Sequence, residues 1–170
     1  MGKVKRRFLG LCLVPILLAG LDGSVTLLGQ PPAYWAGDYS QVREGTPGFR
    51  LLLTHGPAAY VAGLAVWVLA FVGMILLLPA TLALAVCLQF TLGHAIGAFS
   101  WINRFPHGRE LPLLINALAA VGLAVGIRRG WACEPRDDAP LAPRLPAVLR
   151  WAIVAALGAV PILYTLPRGN

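Results

Sequence analysis

The sequence predicts an all-α fold, a polytopic membrane helix bundle, and three observations carry that reading. Apolar stretches occupy residues 8–29, 55–78, 80–102, 111–127 and 147–166. Most of them approach the roughly 20 residues that a helix needs to cross a hydrocarbon core about 30 Å thick. The 170-residue chain is 58% hydrophobic and 12% charged, about half the ~25% charge that a soluble domain carries. Short basic or Pro/Gly-rich segments separate the stretches. Together these predict five transmembrane helices in a single membrane domain, residues 1–170, with an outer aromatic loop at 30–54 and a cytoplasmic loop at 128–146.

The first element follows Lys3, Lys5, Arg6 and Arg7. A basic start before an apolar run is the pattern of a signal peptide, but here apolar character persists through Leu21 and resumes at Val25. A retained first helix is therefore expected. The second and third elements meet within a segment that is apolar throughout, residues 74–85. A single helix over 55–102 would be about 72 Å long, more than twice the membrane. Pro79 removes an amide donor and supplies the place to turn, with Thr81 as an expected hydroxyl cap. The fourth stretch is the shortest, and the fifth contains Pro161, which bends a membrane helix when neighbours cover the freed carbonyl. Gly93 and Gly97 form one GxxxG pair and Gly122 and Gly126 another, while Ala58, Ala62 and Val66 trace a face of the second helix. All three groups are expected at helix contacts, because close backbone approach drives association in lipid.

The net charge of +7 is distributed as short clusters beside apolar segments. That placement fits anionic headgroups and topology signals, and argues against nucleic acid as a partner. A cytoplasmic N-terminus puts nine of the 14 basic residues on the cytoplasmic side, as the positive-inside rule requires. The expected location is thus a membrane crossed several times, with the N-terminus on the cytoplasmic side. Cys12, Cys87 and Cys133 form no CxxC pair and no zinc-site spacing, and the first two are expected as small apolar side chains. No motif identifies a cofactor.

Asp22 is the most informative residue. It lies about 21 Å along the first helix, nearer the outer surface than the middle, and Thr26 follows on the same face. A carboxylate in hydrocarbon costs several kcal/mol, so it is expected to face the bundle. His94 on the third helix falls at nearly the same depth, and Asp22 and His94 are the candidate catalytic pair: a carboxylate orients an imidazole and raises its basicity. A buried network serving packing alone has the same signature. Tyr34 and Trp35 in the outer loop, Tyr60, Gln89 and Asn116 are candidate ligand-binding residues. Tyr34, Trp35 and Tyr39 equally suit anchoring at the headgroup boundary. Glu44 and His55 are candidate metal ligands by chemistry, without a spacing that specifies a metal. His107 and Glu110 border the second outer connection.

Residues 21–53 carry a resemblance. The run Leu-Asp-Gly-Ser-Val-Thr-Leu-Leu-Gly at 21–29, followed by Glu-Gly-Thr-Pro at 44–47 before a leucine-rich helix start, resembles an uncharacterised family of small bacterial multi-pass membrane proteins. That family pairs Asp-x-x-x-Thr with a Glu-x-Asn-Pro segment, and Thr46 stands in place of the asparagine. The resemblance implies a bacterial membrane location and no activity.

Three function classes remain open at this point. The leading expectation is a membrane-embedded accessory, assembly or scaffold protein, surrounded by membrane lipids and meeting a membrane-protein partner or its own copies. An intramembrane enzyme would use Asp22 and His94 with Ser24, Ser100, water or a metal. A small-solute or ion transporter would line a cavity with Asp22, Gln89, His94 and Asn116. Whether the chain is an enzyme stays uncertain from sequence.

Overall fold

The computed structural model describes residues 8–105, 111–131 and 146, with side chains omitted at 129–131. All regular structure among them is helical. Helix α1 spans Leu13–Leu28, α2 Pro32–Trp35, α3 Pro47–Thr54, α4 Pro57–Leu77, α5 Ala80–Ile102 and α6 Leu111–Trp131, with a 3-10 turn at Tyr39–Gln41. Among the described residues, three helices are long and apolar enough to cross a membrane: α4, α5 and the Leu111–Arg128 part of α6. The fifth expected span, 147–166, and most of the expected cytoplasmic loop lie outside the described residues, as do His107 and Glu110.

The first expected span differs in an instructive way. Counted from Leu13, α1 has 16 residues and falls short of a full crossing. Helical backbone also occupies residues 8–11, joined to α1 through Cys12, whose amide donates to the Phe8 carbonyl at 2.9 Å. Pro15 explains the irregularity. Lacking an N–H, it cannot bond the Leu11 carbonyl one turn earlier. The thiol of Cys87 on α5 donates to that carbonyl instead, at 3.1 Å. Cys87 is therefore more than apolar filling: it satisfies the backbone acceptor that a proline would leave bare in hydrocarbon.

The α4–α5 connection is the expected tight apolar turn, made by Leu78 and Pro79, both with extended backbone. No side-chain cap is formed there, and Thr81 stands exposed in the first turn of α5. The fourth helix is longer than expected, because helical backbone continues past Ile127 to Trp131 and includes the first residues of the expected inner loop.

Helix α1 packs chiefly on α5, and α4 and α6 lean on that pair. The cluster at one end joins Leu11 and Cys12, just before α1, and Ala19 of α1 to Phe71 and Ile75 of α4, Ala83 and Cys87 of α5, and Leu123 of α6. At the other end Val25 meets Ala98, Trp101 and Ile102, with Ile115 alongside. The start of α1 thus shares an end with the start of α5 and the finish of α4 and α6, an up-and-down arrangement. Gly122 and Gly126 serve this packing as expected. A Cβ at Gly122 would lie 3.1 Å from Val14, and one at Gly126 would collide with the Gly10 carbonyl oxygen. The other small-residue sets behave differently. Ala58, Ala62 and Val66 face outward, and a Cβ added at Gly93 would meet no atom within 4 Å. Outward residues on the three long helices are nevertheless mostly apolar, and large ones stand well out, with Ile96 68% and Leu113 75% exposed. A surface of that kind suits lipid and not water.

The expected outer loop is an ordered cap. Its two short helices and 3-10 turn close over Tyr34, Val42, Leu53 and Tyr60, with Phe49 and Tyr60 in edge-to-face contact at 5.6 Å. Proline opens α2, α3 and α4, where its missing N–H is no loss and its fixed φ favours the helix. Gly56 separates α3 from α4 with φ of +100°, a conformation that side chains resist, so α4 starts at Pro57 rather than at His55.

Candidate functional site

The polar centre lies between the two apolar clusters, toward the cap end. Asp22 on α1 and His94 on α5 meet there: the His94 Nδ1–H donates to Asp22 Oδ2 at 2.8 Å. The side chains are 17% and 9% exposed respectively, so the pair is largely enclosed. Helix periodicity supplies the geometry. His94 and Gly97 share one face of α5 a turn apart. The carboxylate hydrogen-bonds the first and rests on the second, since a Cβ at Gly97 would lie 2.6 Å from both Asp22 oxygens. Gly97 is therefore a cradle for a side chain, not half of a helix-packing pair.

Below His94 runs an aromatic stack. Its ring sits 4.4 Å from Phe90, which stacks on Phe71 at 4.0 Å and on Trp67 at 6.0 Å. Above, Tyr60 of α4 closes the site against the cap core, with Thr26 of α1 buried beside it. The bond from Nδ1 to Asp22 leaves the lone pair of the neutral imidazole on Nε2.

The remaining candidates do not converge on this pair. Tyr34 and Tyr60 are brought together in the cap core, while Trp35 is 53% exposed and contacts Tyr34 edge-on at 5.6 Å. Tyr34 is fully buried, its hydroxyl has no hydrogen-bond partner among the described residues, and burial pushes its phenol above the usual tyrosine range. Gln89 and Asn116 are exposed on the outward faces of α5 and α6. Glu44 accepts from the Thr46 amide at 2.6 Å, and the His55 Nδ1–H donates to the Leu51 carbonyl at 2.9 Å. Both are engaged in local turns, and no group of three or more His, Cys, Asp or Glu side chains is placed to hold a metal among the described residues. Ser24 and Ser100 are exposed and donate to their own helices, at Gly20 and Gly97, each at 2.7 Å. Asp38 is likewise local: its bonds from Ser40 hold the exposed carboxyl below the usual range.

Sequence reasoning missed Gln30. This buried amide donates to the Thr26 and Arg43 carbonyls and accepts from the Arg43 amide, each at 2.9 Å. It thereby pins the far side of the cap to the end of α1. A lone glutamine between Gly29 and a Pro-Pro pair gives no signal of this, because the cap backbone it grips lies 13 positions away. Gln30→Ala is expected to free the cap while leaving α4–α6 intact. Hydrogen exchange at the Arg43 amide should accelerate at least about ten-fold, and unchanged protection would refute the staple.

Fold and site together define, among the described residues, a helical bundle with three candidate membrane-crossing helices, a cap and an enclosed carboxylate–imidazole pair. No family model, curated protein or solved structure matches the chain.

Proposed function

We propose that this protein is a membrane-embedded accessory or scaffold subunit of the bacterial cytoplasmic membrane, with its N-terminus in the cytoplasm. One observation carries the reading: the division of the polar side chains. Those inside the bundle and its cap are largely committed to each other or to backbone, whereas Gln89 and Asn116 face outward without a hydrogen-bond partner among the described residues. An amide in hydrocarbon without a partner is costly, so an outward one is most readily accounted for by a neighbouring transmembrane helix. The basic cluster at residues 3–7 supports the orientation.

Photo-crosslinking residues placed at 89, 116 and, as an outward apolar control, 66 test this in native membranes. Protein adducts from 89 or 116, absent from 66, are expected. Lipid adducts alone at all three positions would overturn the reading, as would a purified monomer that turns over a substrate or passes a solute in an Asp22-dependent way.

A chemical role is the second reading, and the fixed tautomer favours it. Asp22 leaves His94 Nε2 as the basic nitrogen, which is what a general base or a proton-binding site requires. Its weakness as a hydrolase is equally geometric, since Ser24 and Ser100 are both bonded to their own helices.

A further inference from the structure

We infer that the occupant of the Gln89 face is a second copy of this chain, in a two-fold dimer in which the α5 helices pair through Gln89 and Gly93. The inference rests on the accessory reading above and names its partner.

Depth singles out Gln89. It stands about 14 Å along α5, a helix about 34 Å long, so it lies near the middle of the span. Water and headgroups are out of reach there. Asn116 lies only about 8 Å into α6 and close to its end, where interfacial water is available. Gln89 is thus the outward group whose hydrogen-bonding capacity needs a partner within the membrane.

The partner must present a donor and an acceptor at the same depth. A primary amide has both, and two amides related by a two-fold axis satisfy each other reciprocally. Copies of one chain insert in one direction, so their α5 helices run parallel and residue 89 of one meets residue 89 of the other. No other exposed group of the described spans offers this match at mid-span. The backbone also permits the approach. Gly93, one turn further along the same face, is exposed with nothing within 4 Å of its Cβ position, and Ala85 is exposed one turn before. Large side chains at these two positions would hold the helices apart and the amides out of reach.

Energy transfer between full-length copies labelled at the N-terminus, reconstituted in phosphatidylcholine–phosphatidylglycerol vesicles over a range of protein-to-lipid ratios, tests the proposal. Self-association is expected, weakened about ten-fold by Gln89→Leu and comparably by Gly93→Leu. Gln89→Asn should retain part of it. Because both positions face outward, the variants are expected to keep the wild-type helix content and the Arg43 amide protection. Self-association that Gln89→Leu leaves unchanged would overturn the proposal. No self-association at any ratio, with Gln89-dependent adducts to a different membrane protein, would overturn the second copy and leave the accessory reading standing. Absence of both would overturn the two together.

Discussion

Replacing Asp22 with alanine should lower the stability of the bundle by about 2 kcal/mol, measured by unfolding in mixed detergent micelles. That size follows from what the substitution leaves behind. The His94 Nδ1–H loses its acceptor in a low-dielectric setting, and leaving an enclosed donor without its partner costs about 1–3 kcal/mol. Partial exposure of Asp22 keeps the expected value inside that range. Asp22→Asn should cost less, since an amide oxygen can still accept from the imidazole. Asp38→Ala, at an exposed cap carboxylate bonded to Ser40 nearby, should leave the unfolding midpoint unchanged. The same logic predicts strong coupling: Asp22→Ala combined with His94→Ala should cost clearly less than the two single losses added. Additive losses, or equal effects at Asp22 and Asp38, would remove the pair as an organising contact.

The legible and illegible parts of this molecule separate by the range of the interactions involved. Helix placement was legible because hydrocarbon demands length and apolarity, and Pro79 marked the turn within an otherwise unbroken apolar segment. Shared depth also suggested that Asp22 could meet His94, because rise per residue converts sequence position into height within the bundle. Rotation about each helix axis was not legible. Gln89 and Asn116 occur in the same spans as His94 and its neighbours yet point outward, and low amphipathic contrast gives no sign of it when lipid replaces water outside. Cap structure was hidden for a different reason. The aromatics at 34, 35 and 39 suggest an interface belt, but Gln30, the residue that closes the cap, acts through distant backbone groups. Glycines at GxxxG spacing were the least specific signal. Gly126 packs against a helix, Gly97 against a carboxylate and Gly93 against nothing among the described residues.

Gly97→Ala is the sharper probe of the polar centre, because its sign should depend on residue 22. In a helix interior, alanine is favoured over glycine by about 1 kcal/mol. Gly73→Ala on α4, where no atom lies within 4 Å of the added methyl, should show that gain. At Gly97 the methyl would lie 2.6 Å from both oxygens and 2.8 Å from Cγ of Asp22. Something must move, and the short Asp22 side chain cannot retreat without releasing His94. Overpacking of this kind costs about 1–3 kcal/mol, and loss of the hydrogen bond adds to it, so a net destabilisation of about 2 kcal/mol is expected. Once Asp22 is alanine the obstacle is gone, and Gly97→Ala should turn neutral or stabilising in that background. A reversal of sign requires the carboxylate to rest on Gly97, since a helix-packing glycine would be harmed equally in both backgrounds. The same loss with and without Asp22 would assign Gly97 to helix contact, and would leave the Asp22–His94 bond without the cradle that holds it in place.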